Sequence, residues 1–76
     1  MSKVYLVVEV DSYNFTYPTY KCFANKEKAE EYCRENNAET YRYLQQCADE
    51  YEKPGNFALL EVRELEVIEN EQTNRT

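Results

Sequence analysis

The stretch KVYLVVEVD, residues 3–11, sets Val4, Leu6, Val8 and Val10 on one side of an extended chain and Tyr5, Val7, Glu9 and Asp11 on the other. This period of two is the pattern of a half-buried strand. Working outward, Asp11, Ser12 and Asn14 favour a turn, and TYKCFA (19–24) returns in extended form with Tyr20, Cys22 and Phe23 as apolar mass. Pro18 cannot donate to a ladder, which assigns it to the start of that strand or to a sheet edge.

Asn25 is a good helix N-cap, and an apolar stripe follows at Ala29, Tyr32, Cys33, Tyr41, Leu44, Cys47, Ala48 and Tyr51, interrupted by polar Asn36 and Asn37. Tyr43 falls off the stripe. One helix from Lys26 to Glu52 would be roughly 40 Å long, against about 27 Å for a strand of eight residues. A bend or break near Asn36-Asn37 is therefore expected, because asparagine is poor inside helices and tolerates the left-handed conformation that ends them. An unbroken helix overhanging the sheet is the alternative. KPGN (53–56) is a turn, and FALLEVRELEVI (57–68) is a closing strand whose phase changes: Leu60 and Val62 share one face, Leu65 and Val67 the other. One extra residue near Arg63-Glu64 would realign them, so a β-bulge is expected there.

The order strand, strand, helix, strand specifies an α+β domain over residues 1–68, a three-stranded antiparallel sheet (β-β-α-β) with helix packed on one face and the first strand at the centre. ENEQTNRT (69–76) has no apolar anchor and reads as a mobile tail. A chain of 76 residues is one small domain, able to bury about 60 to 65 % of its unfolded surface.

The net charge of −6 is uneven: residues 1–26 hold two acids and three bases, residues 27–76 thirteen acids and six bases. Such a field repels phosphate backbones and anionic headgroups, which disfavours direct nucleic-acid or membrane binding and favours a basic protein partner. Ordinary acidic solubility explains the same composition. Acids at Asp49, Glu50, Glu52, Glu61, Glu64, Glu66, Glu69 and Glu71 would form an extended negative surface, a nucleic-acid mimic, if the last strand runs beside the helix end.

Catalytic chemistry has few carriers. Histidine is absent, serine occurs only at positions 2 and 12, and a single glycine cannot build a phosphate loop. The chain is read as no enzyme, without cofactor or metal. Cys22, Cys33 and Cys47 form no CxxC pair; reduced thiols, no signal-like or membrane-length segment and a cytoplasmic setting are expected, with the cysteines mostly small buried hydrophobes. Eight tyrosines are the remaining signal. Tyr32, Tyr41 and Tyr51 follow the helix stripe and read as packing residues. Tyr13, Phe15 and Tyr17 lie near a turn with no obvious core face, and are either an interface anchor or a flap folded over the sheet or the helix end.

KCFANKEKAEEYCRENN (21–37), taken with its flanks, resembles a group of small, mostly uncharacterised proteins of phages and mobile elements. The shared pattern is a strand like Val4-Tyr5-Leu6-Val7, a strand ending like Cys22-Phe23-Ala24, a helix opening like Lys28-Ala29-Glu30-Glu31-Tyr32 and a closing strand like Leu59-Leu60-Glu61-Val62. The resemblance implies a compact phage-type accessory protein, similar in size and acidity to anti-CRISPR inhibitors, that binds and blocks a basic surface of a host nucleic-acid-processing or defence protein in the host cytoplasm. The long stretch 36–56 is where a specialised surface is expected. Tyr13, Phe15, Tyr17, Asp49, Glu50, Glu52, Glu61, Glu64 and Glu66 are the candidate partner-binding residues. The alternatives are a nucleotide-binding module that stacks bases on tyrosine, and an assembly factor that forms a homodimer through the edge of strand two or three.

Overall fold

The computed structural model describes residues 2–68. Strand β1 (Ser2–Asp11) is followed by β2 (Thr16–Phe23), helix α1 (Lys26–Asp49) and β3 (Ala58–Val67), and the strands form one antiparallel sheet in the order β2-β1-β3. The α+β architecture and the central first strand follow the sequence pattern. The segment read as a tail, 69–76, lies outside the described residues.

The β1–β3 ladder runs without a slip from Ser2 opposite Val67 to Asp11 opposite Ala58. The bulge expected at Arg63-Glu64 is therefore absent, and the phase change has another cause: β3 is apolar on both faces. Leu60 and Val62 share the face of Tyr5 and Val7, while Leu59, Leu65 and Val67 share that of Val4, Leu6, Val8 and Val10. The irregularity sits in β2 instead. Val7 pairs with Lys21 and Val8 with Pro18, so Thr19 and Tyr20 are extra residues. Tyr20 takes a left-handed φ of 63°, and the Thr19 hydroxyl donates to the Val7 carbonyl at 2.7 Å, supplying the ladder bond that the irregular strand withholds.

Helix α1 begins at Asn25, whose Oδ1 accepts from the Lys28 N–H at 3.1 Å. It crosses the Tyr5/Val7 face, where the Phe23 and Tyr32 rings meet with centroids 5.4 Å apart. Val7 and Ala29 are fully buried at this contact, and Cys33 nearly so. Burying a valine side chain contributes about 1.5 to 3 kcal/mol. Val7, in the row opposite the more apolar one, is thus the centre of the core.

The expected interruption at Asn36-Asn37 does not occur, since α1 is one element of 24 residues. Both asparagine amides find bonds that suit a continuous helix. Asn36 Nδ2 donates to the Tyr32 carbonyl one turn back, and Asn37 pairs with the backbone of Leu60. The mismatch in length is resolved by overhang. The twelve helical residues after Asn37 run roughly 18 Å, whereas Ala58 and Leu59 cover only about 7 Å of strand before Leu60. Residues 50–57 fold back along this projecting end, where the Gly55 N–H donates to the Tyr43 hydroxyl at 2.9 Å, and Cys47 is buried.

The helix stops in a Schellman arrangement: Glu52 N–H donates to the Cys47 carbonyl, Tyr51 N–H to Ala48, and Tyr51 takes a left-handed φ of 55°. Tyr51 is consequently outside the helix and 98 % exposed, against the packing role its place in the stripe suggests. Tyr41 is also half exposed, and Tyr20 and Cys22 likewise face solvent, leaving Phe23 as the contributor of that segment to the core.

Candidate interaction surface

The turn between β1 and β2 is organised by one carboxylate. Asp11 Oδ1 accepts from the backbone N–H groups of Tyr13 (2.9 Å) and Phe15 (3.0 Å), and Oδ2 accepts from the Tyr17 hydroxyl at 3.3 Å. The Asp11 N–H donates to the Phe15 carbonyl, the Asn14 N–H to the Asp11 carbonyl, and Asn14 adopts a left-handed φ of 70°. Asparagine tolerates that conformation better than most residues, so the sequence places it where the chain must reverse. Ser12 ties the turn to the returning loop, its N–H donating to the Phe57 carbonyl at 2.7 Å and its hydroxyl to Asn56 Oδ1 at 2.6 Å.

The rings on this fixed turn point outward: Tyr13 is 69 %, Phe15 61 % and Tyr17 46 % exposed. They are surface and not a flap over the core. Tyr13 and Ser12 form one wall of a shallow groove whose other wall is residues 53–57. Burial around its hydroxyl and then the Asp11 carboxylate raise the Tyr17 pKa above the usual tyrosine value.

The acids of the candidate set fall in three places. Asp49, Glu50 and Glu52 cluster at the end of α1, where Asp49 and Glu50 accept from Gln45 and Gln46, one turn earlier. Loop 50–57 joins this helix end to Ala58, which pairs with Asp11, so these acids share one end of the molecule with the aromatic turn. Glu61 leaves β3 on the side of Val8, is bonded to Arg63 at 3.2 Å, and borders the cleft lined by Cys33, Arg34 and Asn37 of α1. Glu64 and Glu66 lie on the helix-bearing face, Glu64 bound to Lys3 at 3.0 Å. Tyr5, the partner of Glu64, is six residues from Asp11, so Glu64 is roughly 20 Å from the aromatic end. A continuous acidic strip along β3 and the helix end is therefore not formed by Asp49, Glu50, Glu52, Glu61, Glu64 and Glu66.

Tyr51 is exposed between Glu50 and Glu52 at the end of α1, and was hidden by its spacing, which matched the buried stripe. The signal that finds it is the helix stop: Tyr51 follows Glu50 and precedes Pro54 and Gly55 by only three and four residues.

Two of the three thiols are buried, Cys33 and Cys47, while Cys22 is exposed. Burial raises the Cys33 pKa, and Glu30 and Glu61 raise it further. No helix among the described residues is long and apolar enough to cross a membrane. Among protein-family models, curated proteins and solved structures, no match to the chain is found.

Proposed function

We propose that this chain is a non-enzymatic, phage-type accessory protein that docks its aromatic and acidic end on a basic surface of a host nucleic-acid-processing or defence protein and blocks that surface. The observation that carries this reading is the Asp11-anchored turn, which fixes the backbone of Tyr13 and Phe15 and the hydroxyl of Tyr17 while leaving all three rings exposed. Rings fixed before contact lose little freedom on binding, and tyrosine combines apolar area with a hydroxyl. Tyr51, exposed in a backbone conformation unfavourable for a bulky residue, supports the same reading, since strain retained at a surface ring points to use of that ring. Asp49, Glu50 and Glu52 supply charge for a basic partner and faster encounter with it.

The test is affinity capture from a host lysate on the immobilised full chain, beside a Tyr13→Ala/Phe15→Ala chain and an Asp49→Asn/Glu50→Gln/Glu52→Gln chain, followed by identification of retained proteins. A nucleic-acid-processing protein retained by the wild type alone, and released as salt rises, supports the proposal. Retention that ignores salt and both sets of substitutions overturns it.

A further inference from the structure

The sheet face turned away from α1 carries no layer among the described residues. It presents Val4, Leu6, Val8 and Val10 on β1 and Leu59, Leu65 and Val67 on β3, a row more apolar than the one beneath the helix. Leu65 is 47 % exposed, while Val8 at the centre is closed in by its neighbours Leu6, Val10, Pro18 and Glu61. Residues 69–76 contain no apolar side chain with which to cover it. On β1 and β3 the face carries two charges among the described residues, Glu61 and Arg63, so it is locally neutral in a chain of net charge −6.

We infer that this face binds a second copy of the chain, the two sheets packing face to face in a symmetric dimer. The spacing is self-complementary. Val7 is paired with Val62, and residues 4, 6, 8 and 10 on β1 and 59, 61, 63 and 65 on β3 are placed evenly about that level, with the Ser2–Val67 pair lying beyond them at one end of the face. A two-fold axis at this level, midway between the two sheets, parallel to them and perpendicular to the strands, lays each strand over its own copy. Val4 then meets Val10, Leu6 meets Val8, and Leu59 meets Leu65. Glu61 meets Arg63 twice, so the pair seen within one chain is exchanged for reciprocal pairs across the axis. Face-to-face sheets pack about 10 Å apart, which suits aliphatic side chains interdigitating from both sides. A footprint of roughly 33 by 14 Å per copy hides on the order of 1,000 Å² in total, the lower edge of specific interfaces, as suits a reversible dimer. This surface is separate from the aromatic and acidic end, and the inference does not depend on the proposed function.

Sedimentation of the full chain across a micromolar concentration series tests it. The wild type is expected to pass from 9.1 kDa to twice that mass. Glu61→Arg and Arg63→Glu, each placing like charges across the axis, are expected to weaken the dimer at least tenfold without loss of circular dichroism. An equimolar mixture of the two variants is expected to restore the dimer, because one then carries two bases opposite two acids. A wild type that stays monomeric, single variants that dimerise unchanged, or a mixture that stays monomeric each overturns the inference; the second outcome places self-association on another surface.

Discussion

The side-chain amide of Asn37 is bonded to both backbone groups of Leu60, Nδ2 donating to the carbonyl at 3.1 Å and Oδ1 accepting from the N–H at 2.8 Å. Twenty-three residues apart, the two reproduce the exchange that a fourth strand would make at the edge of β3. Asn37 is the one buried polar residue among those described, with 5 % exposure, and its burial is compatible with folding because both ends of the amide are satisfied. The pairing also fixes where α1 sits along β3, and hence how far its acidic end projects.

Replacing Asn37 with alanine leaves a backbone donor and acceptor of Leu60 without these partners. A loss of about 2 to 3 kcal/mol is expected in urea unfolding, together with faster amide exchange at Leu60. Asn37→Asp is expected to be worse at neutral pH, since a carboxylate set against the Leu60 carbonyl repels it.

Tyr51→Gly should raise stability by about 1 kcal/mol, because glycine takes the left-handed stop of α1 without steric cost and a ring that is 98 % exposed has no packing to lose. The same substitution should weaken partner binding. Thermal melting and retention of the captured partner read the two effects separately.

Thiol reactivity should divide one against two. At pH 8 an aromatic disulfide reagent is expected to modify Cys22 rapidly and Cys33 and Cys47 only as the chain opens, with all three reacting at once in denaturant. Cys33 holds its proton more tightly folded than unfolded, so its contribution to stability is complete below the usual thiol pKa of about 8.5 and is lost as pH rises through the raised value.

Tyr17 should ionise at higher pH than a free tyrosine. Asp11→Asn, which keeps an acceptor but removes the charge, should bring it part of the way back, with burial sustaining the rest. The sign follows as for the thiol: stability is full below the usual value near pH 10 and falls as pH rises through the raised one. Ring signals followed by NMR across an alkaline titration resolve the residue.

The element order was readable because period two in β1, the Asn25 cap and the Pro54-Gly55 turn each have local physical causes. What was not readable was long-range. Asn36 and Asn37 look like a helix stop until Leu60, distant in sequence, supplies a partner for one of them. The change of phase in β3 reads as a bulge only if one face is taken to be apolar; an unbroken ladder makes both faces apolar. Tyr13, Phe15 and Tyr17 were identified as a group, but their choice between surface and core depended on the bonds that Asp11 makes. Glu61 is set apart from Glu64 and Glu66 because residues an odd number apart on a strand point to opposite faces, and Glu64 from the helix-end acids by its distance along β3, neither of which a list of acids reveals.

The most direct measurement is the urea unfolding of the Tyr13→Ala/Phe15→Ala chain beside the wild type. Rings presented to a partner and held by backbone bonds to Asp11 predict a stability within about 1 kcal/mol of the wild type and an unchanged denaturant slope. A loss of about 3 kcal/mol or more, the cost of truncating buried aromatics, would contradict the reading of this turn as a docking surface.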